Sequence, residues 1–410
     1  MSKTTALHGI RVLDLTRVLA GPISGQILGD LGAEVIKVER VGMGDDGRHY
    51  GFAALKDRDG NRSLESGFFM AGNRNKKSLT VDLSKPEGQA LVHRLASDSD
   101  VLIENYKVGD LKRYGLDYEN LKALNPRLIY CSVTGYGQTG PMAKRPGYDG
   151  LFQAMGGMMA VTGVPEGEPG AGPLKAGPSL VDVFTGHNAA LAILAAINHR
   201  HNTGEGQYID VALLDCAVAM VSHIAQDYLV SGVAPPRLGN GGNGGGPADL
   251  LRCSDGIVYI TAGTQEHWQR LCKLMERPDL YADPRFDTNP QRGRNRNELI
   301  SLINEWSQKW RTDELLAALD AIGIPAARYN ELPQVFEEAQ VRHRGLRVTV
   351  PHPMAGEVSL LASPLAHMSA SPIERYAAPP MLGQHTEEIL HDRLGLSDEE
   401  IHQLREAKII

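Results

Sequence analysis

Apolar positions early in the chain fall into short runs separated by turn residues. Ile10 to Leu15 is an apolar, partly β-branched run that predicts a strand, Gly21-Pro22 punctuates it, Ile23 to Leu31 repeats at helical spacing, and Glu34 to Val38 predicts a second strand. The alternation continues with helix Pro86 to Ala96, strand Val101 to Glu104, helix Tyr118 to Leu124 and strand Arg127 to Val133. Alternating strands and helices of this length build a parallel sheet covered by helices on both faces, so the fold class is α/β. A Gly/Pro-rich stretch, Gly163 to Pro178, precedes a helical pattern from about Val183 to Arg200, and Tyr208 to Leu214 reads as a strand leading to a helix through Val230.

The pattern then changes. Gly239 to Gly246 has too little side chain to pack a core and marks a loop or linker. Beyond it, a strand at Ile257 to Ala262 and helices near Glu266 to Met275, Glu298 to Lys309 and Thr312 to Ile322 form an α+β middle unit. Strands near Leu346 to Val350 and Glu357 to Leu361 and a last pair of helices follow. The expected division is 1–225, 226–335 and 336–410, the last returning to the first.

With 42% hydrophobic and 22% charged residues among 410, the chain has an ordinary globular composition. Its net charge of −7 argues against broad attraction to nucleic acid or anionic lipid. The longest apolar stretches, Ala189 to Ile197 and Val211 to Val221 (broken by Asp215), fall short of the roughly 18 to 20 residues of a membrane span, so no membrane partner is expected. Four widely spaced cysteines and the absence of a signal-like N-terminus point to a reducing, cytoplasmic setting and to no metal site.

The first βα turn, Thr16 to Pro22, is the natural ligand crevice of such a sheet, yet it lacks the glycines that admit a dinucleotide. Arg40, just after the second strand, suits a nucleotide phosphate or is a solvated charge. Arg74, Lys76 and Lys77, with Arg113, Lys144 and Arg145, are candidates for a phosphate-rich ligand or plain surface. Asp182 stands among Leu180, Val181, Val183 and Phe184 at the start of a helix; spacing favours a helix cap over an acyl-accepting nucleophile. His187 and His223 on apolar helices read as core histidines.

The blocks Gly9 to Pro22, Gly32 to Glu39, Asn73 to Ser78, Glu104-Asn105-Tyr106, Gly135 to Pro141 and Leu382 to Thr386 together resemble the class III CoA-transferase family, also called CaiB/BaiF. The resemblance runs almost end to end. It implies that Asp182 is the nucleophile, overturning the cap, and that it carries CoA as a covalent aspartyl thioester. It also implies that a coenzyme A thioester is the substrate, with no permanently bound cofactor. By the same likeness Val18 and Leu19 line the CoA entrance and Arg40 meets the nucleotide. Val81, Asp82, Leu83 and Ser84 frame it with Asn105, Tyr106 and Lys107, Arg113 completes the site, and Tyr148 and Asp149 lie near the thioester. The formyl-CoA branch has Gln at the position of Leu19 and Glu at that of Asp149, so formyl-CoA and oxalate are not the expected pair. The blocks are most similar to the branch using succinyl-CoA and small dicarboxylic acids. The family's fold implies a Rossmann-like large domain from both chain ends, a small middle domain and an interlocked homodimer. Two alternatives are a 2-methylacyl-CoA racemase or epimerase, whose relatives carry His where this chain has Tyr148, and a non-catalytic CoA-binding protein.

Overall fold

The computed structural model describes residues 5–57, 59–242 and 245–410. They form two compact units. The first comprises the chain up to Met158, Lys175–Val233 and Gln340–Ile410; the second comprises Met159–Leu174 and Ala234–Ala339. Residues Met159–Leu174 therefore leave the expected 1–225 segment for the middle unit, where Gly163–Val164 and Gly172–Pro173 pair as a short antiparallel ribbon.

The first unit is built on six parallel strands: β1 (Arg11–Asp14), β2 (Glu34–Glu39), β3 (Lys76–Thr80), β4 (Val101–Glu104), β5 (Ile129–Thr134) and β6 (Tyr208–Ala212). Their spatial order is β6-β5-β4-β1-β2-β3, so the chain moves outward from β1 on one side and then crosses to the other. The crevice between the carboxyl ends of β1 and β4 is the switch point at which such sheets take ligands. Helices α1 (Ala20–Asp30), α2 (Pro86–Ser97), α3 (Asp149–Met155), α4 (Leu180–Thr203) and α5 (Leu213–Ser231) serve this sheet. One apolar core joins α1 and α4 to Val12, Val35, Ile103 and Val133, and a second joins α2 to Leu13, Ile36, Leu102, Tyr130 and the C-terminal helices Thr386–Leu394 and Asp398–Glu406. The strands alternate between these cores, as a sheet buried on both faces requires.

Strand β3 is missing from the hydrophobic pattern because it reads Lys-Lys-Ser-Leu-Thr. Lys76 is buried, its Nζ donating to Asp14 at 2.8 Å, the Pro22 carbonyl at 2.8 Å and Asn73 at 2.9 Å. Arg74 is buried against both oxygens of Asp30, and Lys77 bridges Glu34 and Glu388. These three cations are structural, which corrects their reading as a phosphate site: each is matched by carboxylates of neighbouring elements. The Leu382 to Thr386 block closes this edge, Gly383 donating to Ser78 Oγ at 2.9 Å and the His385 amide to the Ser78 carbonyl at 3.0 Å.

Helices α4 and α5, of 24 and 19 residues with mean hydropathy 1.6 and 1.2, are long and apolar enough to cross a membrane, which the length of the apolar stretches had excluded. Helix α4 packs its Val181, Ala189, Ala190, Ile193 and Ala196 into the first core, whereas α5 buries only Leu213, Cys216 and Ala217. His187 and His223 are exposed rather than in the core; His187 Nδ1 lies 2.8 Å from the Val183 carbonyl.

The second unit pairs Ala248–Arg252, Ile257–Thr261 and Ala326–Arg328 as an antiparallel sheet around Trp268, Leu271, Phe286 and Leu315. The Gly239 to Gly246 run belongs to this unit, with Asn243 and Gly244 outside the described residues.

Candidate active site

Helix α1 starts at Ala20, earlier than the spacing predicts, so the β1–α1 turn is confined to Leu15 to Leu19. Helix α4 starts at Leu180 and crosses α1 at Gly186, where a Cβ would sit 2.6 Å from the Ala20 carbonyl oxygen. Only glycine permits that approach, and it brings the first turn of α4 beside the first turn of α1. As a result Val18, Leu19, Ala20 and Asp182 line one cavity of about 280 Å³, with Asn105, Lys107, Tyr148 and Leu213.

Asp182 does not cap its helix. The amides of Val181 and Asp182 donate to Asp149 Oδ2 at 2.8 and 3.2 Å, so a buried aspartate from α3 takes the capping role. Gln153, one turn along α3, donates to Asp149 and accepts from the Ala176 amide at 2.9 Å, fastening the segment that leads into α4. The Asp182 carboxylate is left without a hydrogen-bond donor or ion pair among the described residues. Burial, and then the neighbouring Asp149, push its pKa up to about 7.

A second cavity, of about 360 Å³, is lined by Arg40, Val81, Asp82, Leu83, Ser84 and Tyr114, among others. Arg17 and Tyr106 line both cavities, the Arg17 guanidinium lying 5.0 Å from the Tyr106 ring centroid. Asp46 pairs with Arg17 at 3.3 Å and with Arg40, linking the two walls. The structure thus brings together every expected binding residue except Arg113, which is exposed, stacks on Tyr114 and lines neither cavity, and Asp149, whose carboxylate is committed to the α4 amides.

Several wall residues escaped the sequence reading. Arg17, Asp46 and Tyr50 are among them; Lys144 and Arg145, which the sequence offered as candidates for a phosphate-rich ligand or plain surface, also stand on the first cavity's wall. Their loop is set by Gly147, where a Cβ would lie 2.2 Å from the Phe152 ring. Contacts through a β1–α1 turn, a strand end and a distant loop converge only in three dimensions, although two bases adjacent to Tyr148 were a usable signal.

Residues 7–386 match the family described as CoA-transferase family III. The chain belongs to that family. It is 42% identical over 385 residues to a succinate–glutarate CoA-transferase of Agrobacterium fabrum, covering 94% of each chain. It is 38% identical to a human succinyl-CoA:glutarate CoA-transferase, over 100% of this chain and 91% of that one. A CaiB/BaiF family protein from Brucella suis has a crystal structure that superposes with a TM-score of 0.85 at 41% identity, covering 95% of this chain and 100% of the other. The chain is therefore a family III CoA-transferase with the CaiB/BaiF fold.

Proposed function

We propose that this CoA-transferase moves CoA from succinyl-CoA to a small dicarboxylic acid through a thioester on Asp182. The observation that carries the reading is Asp182 itself: a carboxylate on a cavity wall, largely withdrawn from water and with no donor among the described residues to quench its lone pairs. An Asp182 oxygen attacks the thioester carbonyl, the C–S bond breaks, and CoA leaves as thiolate from a mixed anhydride. The thiolate attacks the aspartyl carbonyl, releasing succinate and leaving the Asp182–CoA thioester. The acceptor carboxylate then repeats both steps in reverse order and regenerates Asp182. Acyl activation is conserved throughout, so the work left to the protein is positioning and charge stabilisation.

The nucleotide end of CoA is assigned to the Arg40 and Val81–Ser84 cavity and the thioester to the Asp182 cavity, with the pantetheine arm passing Arg17 and Tyr106. Lys144 and Arg145 provide cations for an acceptor's second carboxylate. The glutarate-directed names of two relatives support the dicarboxylate class. A second copy of the chain is the proposed partner for α5, whose Val218, Tyr228, Leu229 and Val230 are exposed; light scattering of a dimer mass is the check.

The test is incubation with succinyl-CoA, borohydride reduction and peptide mass spectrometry, alongside product analysis with a panel of mono- and dicarboxylic acids. Reduction localised to Asp182 with new dicarboxylyl-CoA products is expected. No modified Asp182 and α-proton exchange of a 2-methylacyl-CoA would overturn the reading in favour of a racemase.

A further inference from the structure

The turn after β1 adopts a conformation that its own sequence disfavours. Val18 has φ +73°, in the left-handed region that a β-branched residue enters only when its surroundings force it. Three side chains supply the force. Lys37 Nζ donates to the Thr16 carbonyl at 2.8 Å. Asn105 grips Arg17 on both sides, its Oδ1 accepting from the Arg17 amide at 2.9 Å and its Nδ2 donating to the Arg17 carbonyl at 2.7 Å. Asp45 Oδ1 accepts from the Val18 and Gly47 amides, each at 2.8 Å, while its Oδ2 lies 2.8 Å from Lys37 Nζ. The side chains of Asp45 and Lys37 are fully buried.

Val18 and Leu19 share the Asp182 cavity, and Arg17 borders both cavities. We propose that Asp45 is a positioning residue for acyl transfer: through the Val18 amide it fixes the cavity wall that Asp182 shares, with Lys37 and Asn105 completing the hold. Asp45 borders the second cavity, but its side chain is fully buried and paired with Lys37, so the carboxylate acts through the turn. Asn105 has both ends of its carboxamide committed to the Arg17 backbone, so it too acts through the turn. This inference rests on the reading of Asp182 as the nucleophile.

The test is steady-state kinetics of succinyl-CoA-dependent transfer. Asp45→Ala should lower kcat about 100-fold, the scale of a misplacement near one ångström, with KM for succinyl-CoA within about threefold. Asp45→Asn keeps an acceptor for both amides and leaves Lys37 facing Asp14 and Glu39, and should hold kcat within about fivefold of wild type. Adding Val18→Gly to Asp45→Ala should recover kcat about tenfold, because glycine takes the left-handed turn unaided. Asn105→Ala, measurable even if Asp45→Ala does not fold, should lower kcat about tenfold with KM within about threefold, by the same misplacement argument. An effect of Asp45→Ala or Asn105→Ala confined to KM, or no recovery with Val18→Gly, would overturn the proposal. Full activity in Asp45→Ala beside an inactive Asp182→Ala would overturn it alone, whereas an active Asp182→Ala would overturn the nucleophile reading.

Discussion

Two groups of carboxylates in the first unit meet the cost of desolvation in opposite ways. Beneath the β1–α1 turn, burial opposes ionisation of Asp14, Asp45 and Glu39, yet Lys76, Lys37 and Arg48 hold all three below the usual carboxylate range. At the start of α4, burial acts on Asp182 with a second carboxylate beside it and no cation in partnership among the described residues, and its pKa rises to about 7. The same desolvation therefore bears on anchored carboxylates in one place and on the proposed nucleophile in the other. Carboxylates whose lone pairs are filled by cations and amides fix geometry; one without such partners among the described residues has its lone pairs available, as the proposed attack on a thioester requires.

The largest effect separating the two groups is on turnover. Asp182→Ala and Asp182→Asn should each lower transfer by about three orders of magnitude or more while succinyl-CoA still binds, measured by acyl-CoA product formation and calorimetry. Removing a cation from the paired group should instead act on stability. Lys76→Met leaves Asp14 buried without its paired cation and should cost about 3–5 kcal/mol in urea unfolding. A neutral Lys76→Met would break the comparison.

Asp182 should show the reverse sign. Its folded pKa lies above the unfolded value, so the protein binds this proton more tightly when folded. Stability from that proton is complete below about pH 4 and is lost as pH rises through about 7. At pH 8, Asp182→Asn should be more stable than wild type by about 1–3 kcal/mol, with the two converging below pH 4. A destabilised Asp182→Asn at pH 8 would show that the carboxylate has stabilising partners after all.

How far the sequence discloses this arrangement follows the same division. Strands such as Val101–Glu104 and helices such as Tyr118–Leu124 are legible because their apolar residues repeat at the period of the element. Strand β3 is not, because Lys76 and Ser78 point into a sheet interior where Asp14 and Glu39 receive them. At the site, family resemblance identifies Asp182, and the apolar residues flanking it are visible in the chain. That Asp149 takes over the cap, that Arg113 lies off both cavities, and that Asn105 serves the Arg17 backbone are facts of tertiary distance. Residues 33, 88 and 32 positions apart meet there, and no local pattern encodes those meetings.

A smaller effect tests the nucleotide end. Arg40 is half exposed and paired with Asp46, so the pair contributes at most about 1 kcal/mol to stability. Arg40→Ala should leave unfolding nearly unchanged and raise KM for succinyl-CoA about tenfold, the loss of one charge-assisted phosphate contact. KM for the acceptor acid should not move. Equal loss for donor and acceptor would move the CoA nucleotide away from the Arg40 cavity.

The finest test addresses Asp149 directly. With an acceptor acid ionised throughout the range, kcat/KM should rise with pH around a midpoint near 7 as Asp182 loses its proton. Asp149→Asn retains an oxygen for the Val181 and Asp182 amides, so α4 stays capped, but removes the like charge. Burial is the larger cause of the shift and remains. The midpoint should therefore fall by at most about one pH unit and stop well short of an exposed aspartate. A midpoint that does not move would assign the whole shift to burial; one that falls to the ordinary carboxylate range would make the paired charges, and not the withdrawal from water, the feature that separates Asp182 from the anchored carboxylates beneath the turn.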